Sequence, residues 1–265
     1  MKPLPWLLLL AASLAACGEE REEPARTAEP EAAAATEEPA SPADALATQV
    51  WAAAGGEALD QVAHLDFRFV VEDAGEVVFE AMHHWDRAGK RDRVSWVDGE
   101  GVLHDAIVDL DERTACGTLD GVVAAGEAAA ALAEDAYGRW VNDSYWLMVP
   151  LKVLDPGVSR REIPAEGALR RLELTFAGVG LTPGDRYVLD VDPEGRITRW
   201  EMSLQGSEPP PKGVSFSGHT EVGPLTLPLE HAVEGAERRV LLRDVEVLGE
   251  PAPDAFRLRG CAPPE

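Results

Sequence analysis

Apolar and polar residues alternate along most of the chain from Leu65 onward. Leu65, Phe67, Phe69 and Val71 alternate with Asp66, Arg68 and Val70, the period-two pattern of a strand with one buried face. Asp73-Ala74-Gly75 reads as a turn and 76–85 as the return strand. Strands at 91–97, 102–110 and 113–119 follow at hairpin spacing. The same pattern resumes at 168–176, 185–191 and 196–204, with the turn Asp192-Pro193-Glu194-Gly195 between the last two. Pro209-Pro210-Pro211 marks an edge or loop, and strands at 212–218, 225–233 and 238–248 complete the series. Helical spacing occurs in three places. At 43–54, Ala45, Leu46, Val50 and Trp51 share one side, Ser41 or Asp44 is the candidate cap, and Gly55-Gly56 ends the run, with a further turn or two at 57–62. The Ala-rich stretch 122–136 predicts a second helix. Residues 139–149 predict a third helix, or an irregular aromatic segment, stopped by Pro150, with Asn142-Asp143 capping its start.

Strands joined by tight turns favour an antiparallel meander, and a sheet of so many strands must twist and curl. The expected fold class is therefore α+β, mostly β: a curved antiparallel sheet, or half-barrel, wrapped around a few helices that cover its concave face. Full closure into a lipocalin-like barrel is the alternative. No internal repeat is present.

The first 44 residues follow a different rule. Lys2 precedes an apolar run, 6–12, far shorter than the roughly 20 residues of a membrane-spanning helix. Leu14-Ala15-Ala16-Cys17 closes it. This order resembles a bacterial lipoprotein signal, which implies cleavage after residue 16 and lipidation of Cys17, with palmitate among the acyl groups. Residues 18–44 hold nine acidic and two basic residues, several Pro, an Ala run and no aromatic residue. Such a segment buries too little apolar surface to offset the entropy of ordering it, so it reads as a disordered acidic tether. The division is then a signal peptide at 1–16, lipidated Cys17 and tether at 17–42, and one β-rich domain at 43–265. Gly18 stands where an inner-membrane retention signal would place Asp, which favours the outer membrane.

The formal net charge is −24, of which residues 18–44 carry −7. An acidic surface repels nucleic-acid phosphates and anionic headgroups, so neither nucleic acid nor an electrostatic membrane face is expected. Outside Cys17 the cysteines are Cys116 and Cys261, an even pair in an oxidising compartment, which suggests a disulfide; two free thiols are the alternative. The chain-entropy model assigns a loop of this size roughly 4–5 kcal/mol as an upper figure. No spacing of Cys and His suits a structural zinc.

Two blocks are dense in unusual residues. One runs Trp140-Val141-Asn142-Asp143-Ser144-Tyr145-Trp146-Leu147-Met148-Val149-Pro150 and on through Lys152, Asp155, Gly157 and Val158. The other runs from Leu174 and Phe176 through Gly178, Gly180, Thr182-Pro183-Gly184-Asp185 to Tyr187. With Gly55-Gly56 and His84-Trp85-Asp86, they resemble an uncharacterised family of bacterial lipoproteins, a domain of unknown function, over most of 51–204. The resemblance implies a fold similar to the periplasmic lipoprotein-carrier (Lol) superfamily, a curved sheet holding an apolar cavity plugged by helices. It implies no activity.

Trp140, Tyr145 and Trp146 have apolar bodies and polar tips, and Met148 adapts its shape, so the block suits the lip of an apolar cavity. It equally suits plugging the core. Lys152 could meet a ligand headgroup or pair with Asp155. His83 and His84 point to opposite faces of their strand, so they cannot share a site; Asp86 or His104 are candidate partners for one of them. No metal or cofactor is expected. The glycines of the second block lack phosphate-loop spacing, and no Ser sits in a nucleophile elbow, so no catalytic residue is expected. The expectation is a non-enzymatic, lipid-anchored, periplasm-facing monomer. It would bind an apolar molecule or acyl chain through Trp140, Tyr145, Trp146, Met148 and Lys152, or dock an envelope partner around a filled core.

Overall fold

Thirteen antiparallel strands form one sheet in the computed structural model, which describes residues 41–178, 181–182, 184–207 and 209–261. The signal, Cys17 and the tether up to residue 40 lie outside the described residues. The first helix, α1 (Pro42–Ala53), is capped by Ser41, whose Oγ accepts from Asp44 N at 3.1 Å. Its apolar side, with Leu46, Ala47 and Val50, is buried. Gly55 then turns the chain with a positive φ of 82°. A side chain here would strike Pro224 O at 2.4 Å, so only glycine lets the helix end meet the β11–β12 turn described below. A 3₁₀ turn, Gly56–Gln61, leads into the sheet.

Strands β1 (His64–Asp73), β2 (Glu76–Asp86), β3 (Arg91–Val97), β4 (Leu103–Asp109), β5 (Ala115–Leu119) and β6 (Val122–Val123) step outward in order. The long helix α2 (Glu127–Lys152) then carries the chain to the opposite edge. From there β7 (Val158–Ile163), β8 (Arg170–Phe176), β9 (Arg186–Val191), β10 (Ile197–Ser203), β11 (Lys212–Val222), β12 (Leu225–Val233) and β13 (Arg238–Leu248) step back inward. The last strand pairs with the first, His64 opposite Leu248. Strands β6 and β7 remain edges, so the sheet is not a closed barrel.

Five expectations change. Residues 122–123 are strand, as β-branched Val favours, and the helix starts only at Glu127. From there α2 is continuous to Lys152. Pro150 does not stop it, because in the last turn it removes a single helical hydrogen bond. Asn142-Asp143 therefore lies inside the helix and caps nothing. Strand β7, Val-Ser-Arg-Arg-Glu-Ile, is new: an edge strand needs little apolar content, and its charges guard the open edge.

The two faces of the sheet differ in character. Phe67, Phe69, Ala81, Val94, Leu172, Leu189 and Trp200 bury themselves against the helix side. Across β8–β10 the outward face is a lattice of paired charges, such as Arg171 with Asp190 and Glu201, both at 2.8 Å. Over β3–β5 the chain's last segment covers that outward face. Arg93 donates to Ala255 O at 3.0 Å, Arg91 sits 4.4 Å from the Phe256 ring, and Cys261 is disulfide-bonded to Cys116 on β5. The expected disulfide is thus present, and it pins this strap to mid-chain. No helix among the described residues is long and apolar enough to cross a membrane.

Candidate functional site

Helix α2 brings the aromatic block against the sheet's inner face. The Trp146 ring lies 4.9 Å from Trp200, 5.4 Å from His231 and 6.5 Å from Phe69, ring centre to ring centre. Tyr145 stacks at 6.2 Å on Trp200 and lies 5.7 Å from Tyr187. Trp140 meets Trp85 edge-on at 5.6 Å. Met148 is buried among the residues around Phe67 and Leu227. Lys152, at the helix end, makes an ion pair with Asp155 at 2.8 Å. The structure therefore unites Tyr145 and Trp146 in one aromatic cluster. It sends Trp140 and Met148 toward β1 and β2, and leaves Lys152 at the surface. Trp140, Tyr145 and Trp146 keep partial exposure.

Behind this block lies a polar cluster that the sequence reading did not find. His83 on β2 is fully buried. Its Nδ1 bonds Asp92 Oδ2 on β3 at 2.8 Å, and its Nε2 bonds Asp143 Oδ2 on α2 at 3.1 Å. Phe67 stacks on the imidazole at 4.5 Å, and Asn142 donates to Asp143 Oδ1 at 2.7 Å. Burial alone would lower the His83 pKa, but the charge of Asp92 and the two carboxylate hydrogen bonds raise it to about 9. The imidazolium then tethers α2 to the sheet, with both ring nitrogens occupied and neither free to act as a base. One signal in the sequence pointed here. Alternation places Asp92 on the Val94 and Trp96 side of β3, an acid on a core face.

The other histidines pair differently from expectation. His84 faces away from His83 and bonds Asp66 at 2.9 Å, not Asp86. His104 bonds Asp98 at 2.9 Å and has no link to His83 or His84. Asp86 lies 3.4 Å from His64. His231 is buried between Trp146 and Phe216, and burial lowers its pKa to about 3. Among the described residues no group of three or more His, Cys, Asp or Glu is placed to hold a metal ion.

A second concave feature lies on the opposite side of the sheet. It is a groove of about 560 Å³ over the ends of β2, β3 and β4. Since Ala81 and His83 face the helices, Glu80 and Met82 face outward, and Val78 sits in a β-bulge near the start of β2. Val97 stands opposite Leu103 in the β3–β4 pairing, and both line the groove. Val78, Val97 and Leu103 are 57%, 52% and 44% exposed. The block residues Trp140, Tyr145, Trp146 and Met148 do not line it.

No family model matches the chain, and no curated protein matches it. Solved structures do. A DUF1329 family protein from Desulfovibrio piger is similar at a TM-score of 0.46 and 14% identity, over 82% of this chain and 97% of that one. MucB is similar at a TM-score of 0.24 and 14% identity, over 83% of this chain and 63% of that one. The MucA/MucB complex from Pseudomonas aeruginosa gives a TM-score of 0.20 at 14% identity, over 76% and 59%.

Proposed function

We propose that this chain is a non-enzymatic, lipid-anchored protein facing the periplasm, held by Cys17, with the outer membrane favoured, and that it docks a partner on its surface around a filled interior. The observation that carries the reading is the enclosure of Trp146 by the sheet's own rings. Phe69 on β1 and Trp200 on β10 both touch it, at 6.5 and 4.9 Å. Those strands stand four places apart, about 19 Å on a flat sheet. That supports a curved half-barrel wrapped around α2, with the helix's own aromatic residues in its concavity.

A second reading places an apolar ligand or acyl chain beside Trp140, Tyr145, Trp146, Met148 and Lys152. It is favoured by the partial exposure of the three aromatic side chains. Two measurements test the first reading. Metabolic labelling with a clickable fatty acid should tag the wild type and not Cys17→Ser. Titration with cis-parinaric acid, a fluorescent fatty acid, should show no saturable binding. Persistent label in Cys17→Ser removes the anchor. Saturable binding that Trp146→Ala weakens more than it lowers stability moves the assignment to the second reading.

A further inference from the structure

We propose that the open end of the outward face of β2–β4 is a docking groove for an extended polypeptide segment that alternates apolar and basic side chains. The proposal rests on the partner-docking reading above and names that partner's chemistry. Three observations converge on it.

The first is the contrast across one continuous face. Over β8–β10 the outward positions are charges paired with one another, such as Arg161 and Arg186 on Glu173. Over one end of β3–β5 the outward positions lie under the strap that Cys116–Cys261 fastens. At the other end, Val78, Val97 and Leu103 meet water with half or so of their surface. Single exposed apolar residues are ordinary, but three gathered in one groove mark a contact surface.

The second is charge. Arg68 lies in the groove, but Glu80 at 3.6 Å and Asp244 at 3.0 Å already answer it. Glu80 and Val97 each lie one position beyond the last β2–β3 pair, Ala81 opposite Trp96, both line the groove, and Asp98 follows Val97 in the chain. Hydrogen bonds from His104 and from the Val102 amide keep Asp98 below the usual carboxylate range, so it is charged. The groove is thus apolar at its floor and net negative at its rim. Residues 45–265 carry −18 of the formal −24. That field repels a fatty-acid carboxylate, an anionic headgroup and a second copy of this chain, and attracts a cation.

The third is shape. The lining comes from one sheet and its turns: β1 through Arg68, β2 through 77–80 and Met82, β3 and its turn through 95–98, and β4 through Leu103. A small molecule there keeps one side in water, whereas small ligands bury most of their surface. An extended segment fits. It places every second side chain toward the floor at about 6.6–7 Å spacing. Apolar residues then meet Val78, Val97 and Leu103, and intervening Lys or Arg reach Glu80 and Asp98.

The test uses the full chain with Cys17→Ser, which leaves it unacylated, and fluorescence anisotropy of short fluorescein-labelled peptides. A peptide of alternating Leu and Lys should bind at least about tenfold more tightly than alternating Ser and Lys or alternating Leu and Glu. Val97→Asp and Glu80→Lys should each weaken it by about the same factor, with far-ultraviolet dichroism unchanged; Leu103→Ser repeats the test if Val97→Asp fails to fold. Equal binding of the Ser–Lys peptide, insensitivity to these substitutions, or no binding overturns the proposal. If peptide binding fails while cis-parinaric acid also fails to bind and Cys17 is acylated in the wild type, only this groove is lost. Saturable cis-parinaric acid binding strikes the partner-docking reading itself.

Discussion

Titrating His83 out of its charged form perturbs the core without a mutation. In the folded protein its pKa is raised to about 9, from 6.5 when exposed. A raised value means that the folded state binds the proton more tightly than the unfolded state does. The stabilisation is therefore complete below pH 6.5 and is lost as the pH rises through 9. Each unit is worth about 1.4 kcal/mol, so about 2–3 kcal/mol of stability should disappear between pH 6.5 and pH 9. Urea unfolding of the oxidised protein across that range measures it. In Asp143→Asn the alkaline loss should shrink, because one of the two carboxylates that hold the proton is gone. Stability that stays flat from pH 6.5 to 9, or a His83 resonance titrating at or below 6.5, refutes the argument.

Three further outcomes follow from the same structure. His231 has its pKa lowered to about 3 by burial and by nearby His219, so its stabilisation is present above 6.5 and lost as the pH falls; about 2 kcal/mol should go between pH 6.5 and 4.5, and His231→Phe should flatten that limb in urea melts. Trp146→Ala should destabilise by about 3–5 kcal/mol in a denaturant melt, since it empties the centre of the aromatic cluster. Replacing Cys116 and Cys261 by Ser together should lower stability by up to roughly 4–5 kcal/mol, and should open 249–261 to protease before the sheet itself.

Most of the sheet was legible because its strands follow one rule. In β1, Phe67 and Phe69 are buried while Asp66 and Arg68 are not, as the alternation states. Strands β3, β12 and β13 begin and end where the pattern does. What escaped depended on distant partners. Strand β7 has no apolar stripe, because its register comes from β8 beside it, Arg161 opposite Glu173. Helix α2 read as two pieces because Asn142-Asp143 is a capping pair in isolation. Only His83, 60 residues upstream, gives Asp143 a reason to be buried mid-helix. The aromatic block was legible as unusual, but its role turns on which rings face it, and Phe69, Trp200 and His231 come from three separate strands. The groove was invisible for a related reason. Val78, Val97 and Leu103 look like any strand residues, and only the course of 249–261 over the other end of β3–β5 sets their end of the face apart.

The pairing of β1 with β13 sets an order of events for a chain that emerges N-terminus first. Each neighbour pair from β1 to β6, and again from β7 to β13, is joined by a short connection and can zip locally. The seam between the two halves cannot. The partner of His64 is Leu248, so one long edge of β1, ten residues of it, stays unpaired until nearly all of the chain has been delivered. An unpaired edge of that length invites pairing with other chains. The half-made protein is therefore at its most aggregation-prone late in synthesis, and the final strand acts as the fastener that retires the hazard.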